Sequence, residues 1–310
     1  MNEDKLSLIF PYLYSYVNNE YSNKHYKNHT KLETFTSSTD ITQFSRLPEN
    51  IDIFTYSFPC QDLSQQGKQR GIKIGTRSGL LYEVERILKE NIDRLPKVLL
   101  LENVKALNTS KFKEPFNNWL NTLSDLGYKS YFKVLNSADY GSAQNRERVF
   151  AVSILETHLS KDFEFPKPEK SRKTLEKIIK LNIDDKYSNL MSKYKITNFT
   201  TTKNNITKAR LIGYTKFNSE SYIYKPVNSG PTLTASGANS RLKFYFEKEN
   251  KLKFISSLES FLYMGFDKKD HNIVKNSGLI SETKMIYTCG NSISVEVLEA
   301  IFKEILKCLK

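Results

Sequence analysis

The sequence has few cysteines and no long apolar run, and each of these absences excludes a class of protein. Three cysteines in 310 residues cannot build a disulfide scaffold, and they form no CxxC pair for zinc. The longest apolar runs, such as residues 98–101, fall far short of the ~20 residues of a membrane span. The acidic start, MNEDKLSLIF, is unlike a secretory signal, and the histidines show no metal-ligand spacing. We therefore expect a cytoplasmic protein with no membrane segment and no metal.

Positive charge is what the sequence has in excess. Lysine and arginine outnumber the acidic residues by 47 to 34, which gives a net charge of +13 and a pI near 9.3. Such an excess is typical of proteins that bind a polyanion. An AT-rich genome also produces a lysine-rich composition, so charge alone leaves the partner open. A hydrophobic fraction of 39% is enough to build a core and excludes wholesale disorder.

Apolar segments alternate with amphipathic ones over the first half of the chain. The predicted elements are, in order, strand 51–58, helix 78–92, strand 97–101, helix 112–126, and strands 128–135 and 148–154. Strands that are apolar throughout and separated by helices favour an α/β sheet covered on both faces.

The composition changes after Leu155. Residues 156–250 are rich in Lys, Asn, Thr, Ser and Tyr, whereas helical spacing returns afterwards, with helices predicted at 256–264 and 292–309. We therefore predict an α/β domain over 1–155, a smaller irregular domain over 156–250, and C-terminal helices over 251–310 that return to the first domain.

Two reactive side chains follow predicted strands. Cys60 follows strand 51–58 in Phe-Pro-Cys-Gln, and Glu102 follows strand 97–101 in Glu-Asn-Val. Reactive groups collect at the carboxyl ends of strands in α/β sheets. Taken singly, Cys60 is interpreted as a small buried thiol and Glu102 as a surface acid. Together they supply the nucleophile and the acid that addition to a conjugated ring requires.

A third cluster is Gln144-Asn145-Arg146-Glu147-Arg148. In an extended segment Gln144, Arg146 and Arg148 project to one side. Two guanidiniums on one face can clamp a carbonyl oxygen or a phosphate, and the alternative is a solvated charged turn.

These three segments, in this order and at this spacing, resemble the cytosine-C5 DNA methyltransferase family. Further matches are Asp40-Ile41-Thr42, Arg77-Ser78-Gly79-Leu80-Leu81, and Gly290-Asn291-Ser292, which is predicted to open the last helix. The resemblance covers roughly residues 38–154 and 250–310, and residues 51–64 and 230–241 are similar to the mollicute enzymes that methylate CG. It implies a Rossmann-like methyltransferase sheet in a catalytic domain, with a target recognition domain over 156–250.

The resemblance implies covalent catalysis on a cytosine flipped out of duplex DNA. Cys60 as thiolate would add to C6, and Glu102 would protonate or hydrogen-bond N3. Arg148, supported by Arg146, would stabilise charge on the O2 side. C5 would then take a methyl group from S-adenosylmethionine.

The same resemblance assigns binding residues. Those implied for the cofactor are Asp40, Ile41, Pro59, Leu80, Asn291 and Ser292. Those implied for DNA are Gln61, Ser64, Lys68, Arg70, Arg77, Gln144, Ser236, Gly237, Asn239, Ser240 and Arg241. Residues 61–77 would form a loop that closes on DNA, and residues 236–241 would read bases.

The sequence departs from the family near its start. Family members carry a Phe-x-Gly-x-Gly turn for the methionine carboxylate of the cofactor, followed by an acid for the ribose hydroxyls. No glycine precedes Gly67 here. We therefore expect an N-terminally incomplete sheet and a separately encoded complementing N-terminal fragment, without which methyl transfer would be weak.

Three functions stay open at this point. The first is methylation of cytosine C5 in duplex DNA, with CG as the expected target sequence. This function would place the protein at the prokaryotic nucleoid. The second is a DNA-binding remnant without catalysis, which a cofactor-binding measurement would separate from the first. The third is a tRNA cytosine-C5 methyltransferase, which the basic, aromatic insert over 156–250 disfavours.

Overall fold

The computed structural model describes residues 41–58, 77–169, 173–182, 187–235 and 241–310. Contacts divide the chain into two compact units. Unit 1 comprises Met1–Val134, Arg148–Glu164 and Lys307–Lys310, and unit 2 comprises Leu135–Glu147 and Phe165–Leu306. The domain boundaries at residues 155 and 250 stay a prediction.

A four-stranded sheet forms the centre of unit 1. Its strands are β1 (Ile53–Tyr56), β2 (Val98–Val104), β3 (Tyr128–Asn136) and β4 (Glu147–Leu155), in the order β1-β2-β4-β3. β1 pairs parallel with β2, and β2 pairs antiparallel with β4. Helix α1 (Leu81–Glu90) lies between β1 and β2 in the sequence, and helix α2 (Ser110–Asp125) lies between β2 and β3. The predicted alternation of strands and helices is confirmed.

Both α1 and α2 carry apolar residues at helical spacing, which explains why these segments are helical. α1 buries Leu81, Val84, Ile87 and Leu88, and α2 buries Phe112, Phe116, Trp119 and Leu123. Gly127, with a φ of 86°, follows the end of α2 in the left-handed conformation that glycine adopts without strain. These side chains share one core with Leu99 and Leu101 of β2.

The strand predicted at 97–101 is longer than the sequence indicated. β2 runs to Val104, so Glu102 lies inside the strand rather than after it. The strand is longer because β4 pairs with β2 along the whole length of β2. This pairing provides hydrogen-bond partners for the backbone groups at the polar end of β2. Its last pairs place Glu102 opposite Phe150 and Val104 opposite Arg148.

Unit 2 contains a six-stranded sheet that the sequence analysis did not predict. The strand order is β5-β10-β9-β8-β7-β6, and the strands are β5 (Tyr187–Ser188), β6 (Thr200–Thr201), β7 (Thr207–Arg210), β8 (Tyr222–Tyr224), β9 (Lys243–Phe246) and β10 (Lys251–Phe254). The pairing is antiparallel except between β8 and β9. Strands of two to four residues are too short to show a period of two in the sequence.

The helices of this part of the chain lie before, between and after the strands of the sheet in the sequence. They are α3 (Leu175–Ile178), α4 (Leu190–Lys193), α5 (Ser257–Tyr263), α6 (Lys268–Ser277), α7 (Glu282–Asn291) and α8 (Val295–Leu306). α5 and α6 each begin with a capping box, from Ser256 and Asp267 respectively. Side chains of β9, α5 and α7 share a buried core that includes Phe244, Phe261 and Met285.

The helix predicted at 292–309 begins later than expected. Gly290 and Asn291 end α7, and Ser292 is its C-cap, so this segment does not open the last helix, which starts at Val295. Within the described ranges no helix is both long and apolar enough to cross a membrane.

Candidate active site

Glu102 and Arg148 form an ion pair on neighbouring strands of unit 1. Arg148 lies two residues from Phe150, the partner of Glu102 across the ladder, so both charged side chains stand on one face as diagonal neighbours. Arg148 Nε lies 3.1 Å from Glu102 Oε1, and the side chains are only 18% and 12% exposed. The sheet therefore holds the predicted acid and the predicted charge-stabilising cation in contact, largely out of water.

Asn103 is a site residue to which the sequence analysis gave no role. Its side chain is buried, and its Nδ2 donates to the carbonyl oxygen of Phe58 at 3.1 Å. Its Oδ1 accepts from the backbone N–H of Val104 at 2.8 Å. Asn103 thereby ties the chain that follows β1, two residues before Cys60, to β2. Its place beside Glu102 in the Glu-Asn-Val segment was the signal that could have found it.

Many of the predicted site residues lie outside the described part of the chain. These are Cys60, Asp40, Pro59, Gln61, Ser64, Lys68, Arg70, Ser236, Gly237, Asn239 and Ser240. Arg77 opens a short 3-10 turn, Arg77–Leu80, that leads into α1. The roles of all these residues stay predictions.

Arg146 is buried in unit 2 among backbone carbonyl groups. Arg146 is only 4% exposed. Its Nη1 donates to the carbonyl oxygen of Leu233 at 2.8 Å, and its Nη2 donates to the carbonyl oxygens of Gly290 at 3.1 Å and Ser292 at 2.8 Å. Arg146 therefore joins the chain before the predicted base-reading loop to the end of α7. This arrangement makes it a positioning residue, and a direct part in catalysis stays a prediction.

Gly290 is required at the same junction. A Cβ on Gly290 would lie 2.4 Å from the carbonyl carbon of Thr234 and from the backbone nitrogen of Ala235. Only glycine allows α7 to approach this segment so closely.

Gln144 and Arg241 were both predicted to contact DNA, and both are held by protein groups of unit 2. Gln144 is fully buried; its Nε2 donates to the Tyr263 carbonyl oxygen at 3.3 Å, and its Oε1 accepts from the Leu233 N–H at 2.8 Å. Arg241 is half-buried, and its Nη2 donates to Thr283 Oγ1. Gln144 thus contributes to packing, and contact of either residue with DNA stays a prediction.

Four of the residues implied for the cofactor lie in the described part of the chain, and their roles stay predictions. In unit 1, Ile41 lies in a 3-10 turn, Ile41–Gln43, and Leu80 lies just before α1; both side chains are apolar and half-buried, which suits the face of an adenine ring. In unit 2, Asn291 is exposed at the end of α7, and Ser292 Oγ donates to the Cys289 carbonyl oxygen at 2.8 Å. In the described ranges no group of three or more His, Cys, Asp or Glu side chains could hold a metal ion.

Comparison with known proteins decides the family. The C-5 cytosine-specific DNA methylase family model matches residues 8–307. The chain belongs to this family. It is therefore a DNA cytosine-C5 methyltransferase by descent, and the family takes its methyl group from S-adenosylmethionine. The resemblance read from Cys60, Glu102 and the Gln144–Arg148 segment is confirmed.

Curated relatives of the family include bacterial methyltransferases. The chain is 50% identical over 266 residues to the orphan methyltransferase M.SssI of the mollicute Spiroplasma monobiae, a match that covers 84% of this chain and 67% of the relative. It is 35% identical over 272 residues to the type II methyltransferase M2.ScrFI of Lactococcus lactis, covering 84% of this chain and 68% of the relative. The chain thus spans about two thirds of the length of these relatives.

Solved structures share the fold. The methyltransferase EhMeth of Entamoeba histolytica has a TM-score of 0.59 at 15% identity, with 93% of this chain and 88% of that chain covered. The Dnmt2 methyltransferase of S. pombe has a TM-score of 0.59 at 17% identity, with 94% and 88% covered. The predicted α/β methyltransferase fold is confirmed.

Proposed function

We propose that this chain methylates C5 of cytosine in duplex DNA, with CG as its target, through a covalent bond between Cys60 and a flipped base. The observation that supports the chemistry best is the Glu102–Arg148 ion pair, which brings an acid and a guanidinium together on one face of the sheet. The 50% identity to M.SssI, and the similarity of residues 51–64 and 230–241 to mollicute enzymes, support the choice of CG as the first target to test.

The residues divide the chemistry as follows. The Cys60 thiolate adds to C6 while Glu102, which takes up a proton from solvent when the base binds, gives that proton to N3, so that the ring becomes an enamine instead of carrying a full negative charge. Arg148 donates to O2, where negative charge develops. Loss of the C5 proton to a base, elimination of the Cys60 thiolate and return of the N3 proton to Glu102 restore the ring and the enzyme.

S-adenosylmethionine supplies the electrophilic methyl group that the nucleophilic C5 accepts. Asp40 and Ile41 would contact its adenine, and Pro59, Leu80, Asn291 and Ser292 would line its pocket. A need for a separately encoded N-terminal fragment stays a prediction, drawn from the lack of glycine in residues 1–40. A duplex DNA substrate would place the protein at the bacterial nucleoid.

Mechanism-based trapping tests the nucleophile. A duplex that carries 5-fluorocytosine at CG should form a covalent complex with the protein in the presence of cofactor and of the complementing N-terminal fragment, because the fluorine blocks loss of the C5 substituent. Cys60→Ser should bind the duplex and fail to trap it, whereas Cys289→Ser, a change at a buried cysteine in α7, should still trap. Trapping by Cys60→Ser contradicts the proposal, and trapping of RNA in preference to DNA would favour the tRNA enzyme.

Replacing the acid tests the addition step. Glu102→Gln keeps the shape of the side chain and should lower the rate by about 10²–10⁴-fold, the usual worth of a general acid. Duplex affinity should change little. Glu85→Gln is a matched control, because Glu85 also pairs with a cation, Lys89, at 2.6 Å and is 22% exposed. Equal losses of binding and rate in Glu102→Gln would contradict the role of the acid.

Sequence preference tests the CG target. Replacing residues 236–241 with a neutral linker should abolish the preference for CG over GC duplexes while most of the affinity persists, because base contacts specify and phosphate contacts position. A wild-type chain that binds DNA and no cofactor would instead point to a DNA-binding remnant.

A further inference from the structure

The turn that carries Ile41 is held from the side by one arginine of α1. Arg86 Nη2 donates to the carbonyl oxygens of Ile41 at 3.1 Å, Phe44 at 2.8 Å and Thr42 at 3.4 Å. These carbonyls belong to the 3-10 turn and the residue after it, and the Ile41 carbonyl oxygen also accepts from the Phe44 N–H at 3.2 Å. One guanidinium nitrogen therefore contacts the carbonyl oxygens at both ends of the turn.

Two carboxylates fix the direction of that guanidinium. Arg86 Nε donates to Glu83 Oε2 at 2.8 Å, and Nη1 donates to Glu90 Oε2 at 2.7 Å. Both partners lie on α1, three residues before and four residues after Arg86, where a helix brings side chains together. With Nε and Nη1 held in this way, the planar fork points Nη2 at the turn.

The chain after the turn is attached separately. Asn91 is fully buried, its Nδ2 donates to the Ser45 carbonyl oxygen at 2.7 Å, and its Oδ1 accepts from the Leu47 N–H at 2.9 Å. Side chains of Ile41 and Phe44 also pack on the core of unit 1. Loss of Arg86 therefore leaves the segment attached to α1 through Asn91 and frees only the carbonyls of the turn.

We infer that Arg86 is a positioning residue for the adenosine end of the cofactor, acting through the backbone of the turn at Ile41. This inference rests on the proposed function, in which Ile41 and the preceding Asp40 contact adenine. A lysine has one nitrogen and no planar fork, so it cannot hold Glu83, Glu90 and the turn at once. The charge of Arg86 alone is therefore insufficient.

The test compares Arg86→Lys with a matched control. Arg94→Lys also changes a partly buried arginine of unit 1, 18% exposed, whose ion pairs are with Glu49 and Asp93 and which has no described bond to the turn. Hydrogen exchange of the amides of residues 41–47 is measured in the free protein. Binding of S-adenosylhomocysteine, titrated to millimolar concentration, and binding of duplex DNA are measured by calorimetry.

The expected result has three parts. Arg86→Lys should speed exchange at residues 41–44 and weaken S-adenosylhomocysteine binding at least tenfold, about 1.4 kcal/mol, while DNA affinity stays within twofold. Arg94→Lys should change none of these quantities. In Arg86→Ala, which lacks the side chain, millimolar guanidinium should restore part of the lost affinity, a result that a general loss of folding would not give.

Two results would overturn the inference. Unchanged S-adenosylhomocysteine affinity in Arg86→Lys would refute it while leaving the proposed function intact. A wild-type chain that binds no S-adenosylhomocysteine, either alone or with the complementing N-terminal fragment, would contradict the proposed function, and the inference with it.

Discussion

Replacing Asn103 with alanine tests how the fold presents the segment that carries the predicted nucleophile. The Asn103 amide forms two hydrogen bonds, to the Phe58 carbonyl oxygen at 3.1 Å and from the Val104 N–H at 2.8 Å. Alanine removes both. Because Phe58 is buried as well as Asn103, water cannot easily replace the lost donor.

The magnitude follows from these two partners. An orphaned buried carbonyl costs about 1–3 kcal/mol, and the more accessible Val104 N–H costs about 1 kcal/mol because it can reach water. We expect Asn103→Ala to lower the free energy of unfolding by about 2–4 kcal/mol. A domain of ordinary stability, about 5–15 kcal/mol, stays folded after such a loss. The chain after Phe58 would however lose its fixed point on β2.

Two measurements separate the stability of the protein from the position of the segment that carries Cys60. Urea unfolding followed by circular dichroism gives the free energy of unfolding. The rate of 5-fluorocytosine trapping, at a temperature where the protein is fully folded, reports whether the segment is held in place. Tyr128→Phe is the control, since it orphans one backbone carbonyl of unit 1, that of Pro96, now bonded at 2.7 Å to a buried hydroxyl. Asn103→Ala should slow trapping at least tenfold and Tyr128→Phe should leave the rate unchanged. Equal trapping rates in the two variants would refute the reasoning.

Three further predictions follow from described contacts. Gly290→Ala should cost about 1–3 kcal/mol in urea unfolding, because a Cβ would lie 2.4 Å from the backbone of residues 234 and 235; a loss below 0.5 kcal/mol would contradict this packing. Glu259→Gln should cost about 3 kcal/mol by the same measurement, because it leaves the ammonium of Lys253, 1% exposed and 2.9 Å away, without its carboxylate. Duplex affinity should fall steeply between low and physiological salt, as expected when Lys and Arg neutralise phosphates, and an affinity indifferent to salt would contradict a polyanion role for the net charge of +13.

The elements of unit 1 could be predicted from the pattern of their apolar residues. The buried residues of α1 and α2 recur at helical spacing, and the first four residues of β2 are all apolar. The end of β2 could not be predicted in the same way. Its polar residues continue the strand only because β4 pairs with them, and that pairing is a property of the folded chain. The sheet of unit 2 could not be predicted for the same reason, because its two- to four-residue strands depend on pairing with their neighbours.

The site residues divide along similar lines. Motif resemblance found Glu102 and Arg148, but their ion pair depends on the register between β2 and β4. Asn103 and Arg86 act on backbone carbonyls 45 residues distant in the chain. A carbonyl is present in every residue, so no residue type marks it as an acceptor, and such contacts cannot be found from one sequence. Side-chain chemistry therefore marks candidate residues in a sequence, whereas contacts with backbone acceptors leave no such mark.

Lys243 links stability to pH, and the sign can be worked out from its surroundings. Its residue is 1% exposed, its Nζ donates to the Glu220 carbonyl oxygen at 2.8 Å, and the rings of Tyr214 and Phe254 lie 5.0 and 5.6 Å away. Burial lowers the pKa of Lys243 from 10.5 to about 8, against the opposing effect of the Glu220 carboxylate. Between these two values the unfolded chain holds more protons than the folded one, so stability rises with pH.

The rise attributable to Lys243 between pH 7.5 and 9.5 should be about 2 kcal/mol, at ~1.4 kcal/mol for each full unit. Lys243→Met keeps an unbranched side chain as far as Cε and removes the charged nitrogen, so this part of the rise should disappear. Lys251→Met, a change at an exposed lysine on β10, should retain it. Urea unfolding across this pH range measures all three proteins, and identical slopes in wild type and Lys243→Met would refute the argument.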